Sequence, residues 1–168
     1  MSKEVFLENS EGKSQVFCEL KTLIEQNKQH LSVLVNSSMS LLYWEIGKRI
    51  NGEILLQKRA EYGKQIVETL ANQLTQTYGK GWSEKQLRHC LRIAEIIDDK
   101  EILYALSREL SWTHLRALIY IKEPIKRSFY IEMCKIKRWS TRTLQERINS
   151  MFYERKQYKN SRIPYRTS

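Results

Sequence analysis

Apolar side chains recur at three- and four-residue steps from Ser14 onward. They are Leu20, Leu23, Ile24, Leu31, Leu34 and Val35, then Leu41, Leu42, Ile46 and Ile50 after Asn36-Ser37-Ser38. That spacing lines one side of a 3.6-residue helix. It predicts one long helix, or two joined near Ser37, stopped by Asn51-Gly52. A further helix is predicted from about Ala60 to Tyr78, with Ile66, Val67, Leu70, Ala71 and Leu74 on its inner stripe. Gly79-Lys80-Gly81 ends it as a helix cap and loop. No strand precedes these glycines and no Gly-Lys-Ser/Thr follows, as a phosphate cradle would need. Residues 1–13 are polar and aperiodic, which predicts a disordered terminus.

Beyond Gly81 the pattern changes to short helices with sharply defined starts. Trp82-Ser83 with Leu87, Leu110-Ser111 with Leu115, and Trp139-Ser140 with Leu144 repeat one order: apolar residue, serine, three residues, leucine. A serine hydroxyl can accept from a free amide of the first turn, and the flanking apolar pair can close over it as a hydrophobic staple. Gln86, three residues past Ser83, is placed to complete a capping box. The helix after Ser83 is expected to bury Leu87, Leu91, Ala94 and Ile97 or their neighbours and to show Arg88, Arg92 and Glu95 to solvent. Ile102–Leu110 reads as a short helix, and Glu123-Pro124 opens another to about Lys137, since proline is tolerated in a first turn. The expected fold class is all-α: a multi-helix domain with long N-terminal helices followed by a compact helix-turn-helix-like array.

The scarcity of turn residues, 6 Gly and 2 Pro in 168, agrees with helices over strands. No apolar run approaches the roughly 20 residues of a membrane span, and the N-terminus lacks a signal-peptide core, so a cytoplasmic protein without membrane contact is expected. Cys18, Cys90 and Cys134 are odd in number and widely spaced, which fits reduced thiols. Charge alters the picture most. Of 29 Lys+Arg and 19 Asp+Glu, Ser111–Ser168 holds 14 and 4, so the whole excess of +10 lies in the last third while Met1–Leu110 balances at zero. Such asymmetry points to a polyanion partner, nucleic acid above all.

Candidate catalytic groups are few. His30, His89 and His114 are the only histidines, and no nucleophile–base–orienter set accompanies them, so structural roles at helix ends are expected. No Cys-x-x-Cys or His-Glu-x-x-His spacing suggests a metal, and no cofactor is expected. Asp98-Asp99-Lys100 and Glu11-Gly12-Lys13 match the short acidic string of a PD-(D/E)XK nuclease, but neither sits in a predicted strand, so both read as chance. Nucleic-acid binding is the better supported chemistry. Lys135, Lys137 and Arg138 precede the Ser140 cap; Arg142 and Gln145 open the helix after it; Arg147 and Arg155 follow. Leu144, Ile148 and Phe152 form the buried stripe, leaving Arg142, Gln145 and Asn149 on another face. Arg, Gln and Asn can hydrogen-bond base edges, and Lys and Arg neutralise phosphates. A solvated basic face is the alternative. The four tryptophans are expected in core and staple positions.

An ordered set of motifs carries a family resemblance. Tyr43-Trp44-Glu45-Ile46-Gly47-Lys48, Tyr62-Gly63-Lys64, Gly79-Lys80-Gly81-Trp82-Ser83 with Leu87, Leu110-Ser111-Trp112-Thr113-His114, Tyr130, Trp139-Ser140 with Arg142 and Leu144, and Tyr153-Glu154-Arg155 follow one another across residues 14–156. In that order they resemble the N-terminal helical domain of the YhcG-type PD-(D/E)XK nucleases, family 1016 of the domains of unknown function. The resemblance implies an all-helical domain that precedes a nuclease domain and assists DNA binding. This sequence stops just after Arg155 and a basic tail over 157–168. The expectation is therefore a non-catalytic accessory domain truncated before the nuclease: a stand-alone module, a truncated gene or one half of a split gene. No catalytic residue carries over. The alternative expectation is a protein–protein interaction module that self-associates or docks a separate nuclease subunit, because the N-terminal helices pair an apolar stripe with balanced charge.

Overall fold

Our computed structural model describes residues 2–57 and 60–161, with side chains described over 14–56 and 62–159. Eight helices follow in order among them: α1 (Ser2–Gln57), α2 (Ala60–Tyr78), α3 (Glu84–Ile96), α4 (Lys100–Glu109), α5 (Trp112–Leu118), α6 (Pro124–Lys137), α7 (Thr141–Asn149) and α8 (Phe152–Ser161). The all-α expectation holds, and the boundaries of α2 are those its apolar stripe predicts. The N-terminal segment is one helix, drawn through 2–13, whose side chains lie outside the described residues. α8 runs into the segment read as basic tail, and 162–168 lie outside the described residues.

Two sequence signals were misleading in α1. Asn36-Ser37-Ser38 is not a joint, because Ser37 and Ser40 are buried against the body and Asn36 bonds to it. The Asn36 amide donates to the carbonyls of Ser107 (2.5 Å) and Leu110 (2.9 Å), and its oxygen accepts from Trp112 N–H (2.9 Å). One side chain thus serves orphan backbone groups at the end of α4 and the start of α5. Asn51-Gly52 is not a stop either. Ile50 and Ile54 pack with Val67, Ala71 and Leu87, and Asn51 Nδ2 donates to Leu91 O at 3.1 Å. Those contacts outweigh the roughly 0.5–1 kcal/mol that glycine costs inside a helix. Gly47 has a different purpose: a Cβ there would stand 1.9 Å from the Cys90 carbonyl oxygen, so α1 and α3 cross backbone to backbone.

α3 is consequently wrapped on several sides. Its buried residues are Leu87, His89, Cys90, Ile93 and Ala94, a wider face than Leu87, Leu91, Ala94 and Ile97 predict. Arg92, expected in solvent, reaches back to donate to Ile119 O at 3.2 Å. Burial holds the Cys90 thiol up at about 12 and the Cys134 thiol at about 11, so both stay protonated and unreactive. Around α3 lie two apolar clusters: a smaller one with α1 and α2, and a larger one that joins α3 to α4, α5, α6 and α7 through Ile93, Leu103, Leu115, Tyr130 and Leu144.

All three serine caps form. Ser83 Oγ accepts from Gln86 N–H (3.3 Å), Ser111 Oγ from His114 N–H (3.3 Å) and Ser140 Oγ from Thr143 N–H (3.1 Å). The staple residues Trp82 and Leu87 share the smaller cluster; Leu110 with Leu115 and Trp139 with Leu144 share the larger. The capping box, however, belongs to Ser111 and not to Ser83. Gln86 Nε2 is buried without a partner, whereas His114 Nδ1 accepts from Ser111 N–H at 3.3 Å. His114 Nε2 donates to Trp139 O at 2.8 Å, which ties the α5 start to the α7 start. Pro124 opens α6 as expected.

Candidate nucleic-acid interface

The starts of α3 and α7 and one face of α5 border a cleft of about 590 Å³. α3 contributes Lys85 and His89, one turn apart. α5 and the residues after it contribute Thr113, Arg116, Ala117 and Tyr120, at the i, i+3, i+4, i+7 spacing of one helix face. α7 contributes Thr141, Arg142, Gln145 and Ile148. Three cations and an imidazole meet here and no carboxylate is among the lining residues. The Ser111–His114–Trp139 bonds that lock α5 to α7 hold two of the walls in place.

Some polar groups of this cleft lack a protein partner. Among the described residues neither Lys85 nor Arg116 has an ion-pair partner, and Arg116 Nε is buried without a hydrogen bond. His89 is only 8 % exposed; its Nδ1 meets the Tyr120 hydroxyl at 2.8 Å while its Nε2 is buried without a partner. Burial, then the positive charges of Arg116 and Lys85, hold the His89 imidazole below its ordinary pKa. A donor left unpaired in a buried site costs about 1–3 kcal/mol, which an acceptor reaching it, from water or from a ligand, would recover.

The residues expected from sequence to bind nucleic acid divide into two groups. Arg142 and Gln145 line the cleft; Arg142 Nε also pairs with Glu146 at 3.0 Å, and Gln145 Nε2 donates to Asn149 Oδ1 at 2.9 Å along the exposed face of α7. Lys135, Lys137 and Arg138 end α6. Lys135 is engaged by Glu109 (3.5 Å) and Glu132 (3.4 Å), which raise its pKa and tie it to α4. Lys137 is exposed, and Arg138 is the exposed α6 C-cap in the left-handed region at φ 50°. The Arg147 guanidinium lies over the Phe152 ring (5.1 Å) and the Trp139 ring (5.7 Å), and Arg155 is exposed on α8. Lys85, His89, Arg116 and Tyr120 were missed. Lys85 and His89 fall in the charge-neutral part of the chain, and their one signal was the four-residue spacing along the predicted helix.

The nuclease-like acidic string has structural employment. Asp98 pairs with Lys48 (2.6 Å), Asp99 caps α4 by accepting from Glu101 N–H (2.8 Å), and Lys100 pairs with Glu45 (2.6 Å). Glu11-Gly12-Lys13 lies outside the described side chains. His30 sits in the groove between α1 and α4, while His114 has the turn-bonding role expected of it. Among the described residues no helix is long and apolar enough to cross a membrane.

A protein of Escherichia coli (strain K12), "Putative nuclease YhcG", is 27% identical over 177 residues, covering 86% of this chain. The chain spans 46% of that relative's length. No solved structure matches significantly. The profile of the DUF1016 N-terminal domain matches residues 19–155, from α1 into α8 and across every wall of the cleft, and the chain therefore belongs to that family.

Proposed function

We propose that this chain is the DNA-binding accessory part of a YhcG-type nuclease system, contributing recognition and not bond cleavage. The observation that carries the proposal is the carboxylate-free cleft where Arg142 and Gln145 of α7 meet Lys85 and Arg116. Phosphate contacts position a protein on DNA, and the Gln145–Asn149 face of α7 offers the groups that read base edges. Lys137, Arg138 and Arg155 extend the positive surface, while Lys135, shared by two glutamates, contributes least. Fluorescence anisotropy of a labelled duplex is the test. Binding in the range of about 10⁻⁴–10⁻⁶ M is expected at moderate salt, with log K falling by about 0.9 per phosphate contact for each decade of salt. An unchanged anisotropy at about 100 µM protein and low salt would remove DNA from the account.

A separate observation favours self-association through α1. Between Glu25 and Val33 this helix turns polar side chains (Glu25, Gln26, Gln29, His30) toward Ala105, Arg108 and Glu109 of α4. Its apolar side chains point away: Phe17 is 68 % exposed, and Leu20, Ile24, Leu31 and Leu34 are exposed too. Phe17, Leu20, Ile24, Asn27, Leu31 and Leu34 alternate three- and four-residue steps, the 3.5-residue repeat of a coiled-coil seam with one polar register position. A second copy of α1 is the occupant with the same repeat. Sedimentation equilibrium should show a dimer or higher oligomer that Ile24→Glu dissociates. A strict monomer at about 100 µM, well above ordinary micromolar association, sinks self-association and leaves a separate nuclease subunit as the partner to seek.

A further inference from the structure

The cleft between α3, α5 and α7 has a more specific character than a basic surface. A basic surface is met by water and mobile counterions, and its side chains stay hydrated. Here two polar atoms are taken out of water before any ligand arrives. Arg116 Nε and His89 Nε2 are both buried and both without a partner. His89 Nδ1 meets the Tyr120 hydroxyl at 2.8 Å; in the tautomer in which that hydroxyl donates, Nε2 carries the ring proton and is an idle donor beside Arg116 Nε. Lys85 adds a second, more exposed cation one turn before His89. The first turns of α3 and α7 face the same space and favour negative charge in it.

We propose that this cleft is a built phosphate site, with Arg116 and His89 as its inner donors and Lys85 and Arg142 at its mouth. A tetrahedral oxyanion suits it because several oxygens can accept from donors arriving from different helices at once, which a planar carboxylate or a halide does less well. Ala117, Ile121 and Ile148 complete the lining with apolar surface. The identification of a nucleic-acid phosphate as the ligand rests on the DNA-binding proposal; the oxyanion chemistry rests on the cleft alone. Two sources fit the chemistry, an internal phosphate of the strand and a terminal one.

The test has two parts. Inorganic phosphate is titrated into the full chain while backbone and imidazole resonances are followed by NMR. Saturable shifts centred on His89, Arg116 and the first turn of α7 are expected. Lys85→Gln with Arg116→Gln should weaken phosphate binding at least tenfold without lowering the melting temperature, because neither side chain has a protein partner to lose. Arg142→Gln is the second variant should that pair fail to fold, and it should weaken phosphate binding as well. Duplex binding is then measured against salt with and without a 5′-phosphate. Loss of about one to two phosphate contacts from the salt slope in the double variant places an internal phosphate in the cleft. A preference for the 5′-phosphorylated duplex that the variant abolishes places a terminal one there. Phosphate saturation at the cleft in a chain that binds no duplex would uphold the site and discard the DNA. The proposal is overturned by a wild-type titration with no saturable shift at the cleft, or by variants that bind phosphate and duplex as wild type does.

Discussion

Gly47→Ala is the sharpest test of how this fold is held. The added Cβ would stand 1.9 Å from the Cys90 carbonyl oxygen, 2.5 Å from its carbon and 2.9 Å from Ala94 Cβ. An ordinary carbon–oxygen contact is about 3.3 Å or more, so the two helix axes must part by roughly 1.4 Å at the crossing. Neither obstructing atom of Cys90 can rotate away, because both are backbone. A gap of even 0.5–1 Å forfeits about a quarter to a half of the dispersion energy across it, and overpacking a rigid site costs about 1–3 kcal/mol or more. Alanine returns about 1 kcal/mol of helix propensity. The net expectation is a loss of about 2 kcal/mol, a sizeable part of a typical 5–15 kcal/mol total. For a chain of this size it lowers the melting temperature by about 4–8 °C. Gly52→Ala is the matched control: the same substitution in the same helix, with nothing within 4 Å of the new Cβ, should raise stability by about 0.5–1 kcal/mol. Urea unfolding followed by circular dichroism measures both. If Gly47→Ala lies within about 0.5 kcal/mol of wild type at unchanged m, α1 and α3 do not cross as described.

Asn36→Ala should cost about 2–4 kcal/mol in the same urea assay, since it strands the carbonyls of Ser107 and Leu110 and the Trp112 amide; a loss under about 0.5 kcal/mol would mean water replaces the amide freely. Tyr130→Phe should cost about 1–2 kcal/mol, because the Tyr130 hydroxyl donates to Arg147 O and accepts from Tyr153 N–H, both at 3.2 Å, and so joins α6 to α7 and α8. His89 gives a pH signature. Its folded pKa lies below the ordinary 6.5, so as pH falls through the unfolded value the unfolded chain takes up the proton first, and stability is lost on the acid side of about 6.5. Melting temperatures from pH 7.5 to 5.5 should therefore fall more steeply in wild type than in His89→Gln; equal slopes would contradict the buried, cation-flanked imidazole.

How far the sequence could be read depends on whether a residue's neighbours are local. The three serine caps were legible because every partner lies within four residues: Ser83 with Gln86, Ser111 with His114, Ser140 with Thr143. So was α2, whose stripe needs only a 3.6-residue period. α1 is open to two readings at Asn36 and misleads at Asn51-Gly52 because both look like helix breakers in isolation. Their neighbours are 40 to 76 positions away along the chain, where Asn36 meets Trp112 and Asn51 meets Leu91. A glycine with open space beside it and a glycine that admits another backbone are the same letter, and only the crossing of α1 with α3 separates Gly52 from Gly47. The capping box moved for a related reason. Gln86 has the right spacing, but its amide is drawn into a buried position, while the imidazole of His114 reaches Ser111 and Trp139 together.

The charge asymmetry of the sequence is an incomplete guide to where positive potential gathers in the fold. The excess of 14 basic over 4 acidic residues after Leu110 includes side chains that the fold then neutralises: Lys126 pairs with Glu154, and Lys135 with Glu132 and, across the division, with Glu109. What makes a cleft electropositive is not how many cations a segment holds but how many lack a carboxylate in reach. By that measure Arg116 and Lys85 outrank Lys135, although one of them stands in the neutral part of the chain. The cleft residues also come from three helices, two of which, α5 and α7, are tied together by the bonds among Ser111, His114 and Trp139. A loss of that lock should therefore act on the cleft before it acts on the core. His114→Ala removes the bond to Trp139 O while Leu115 and Leu144 stay buried together, so the melting temperature should drop by a few degrees, about 1–2 kcal/mol. Phosphate-induced shifts at Arg116 and Arg142 should weaken in far greater proportion. Equal retention of both would mean that the walls of the cleft are held by the apolar core alone.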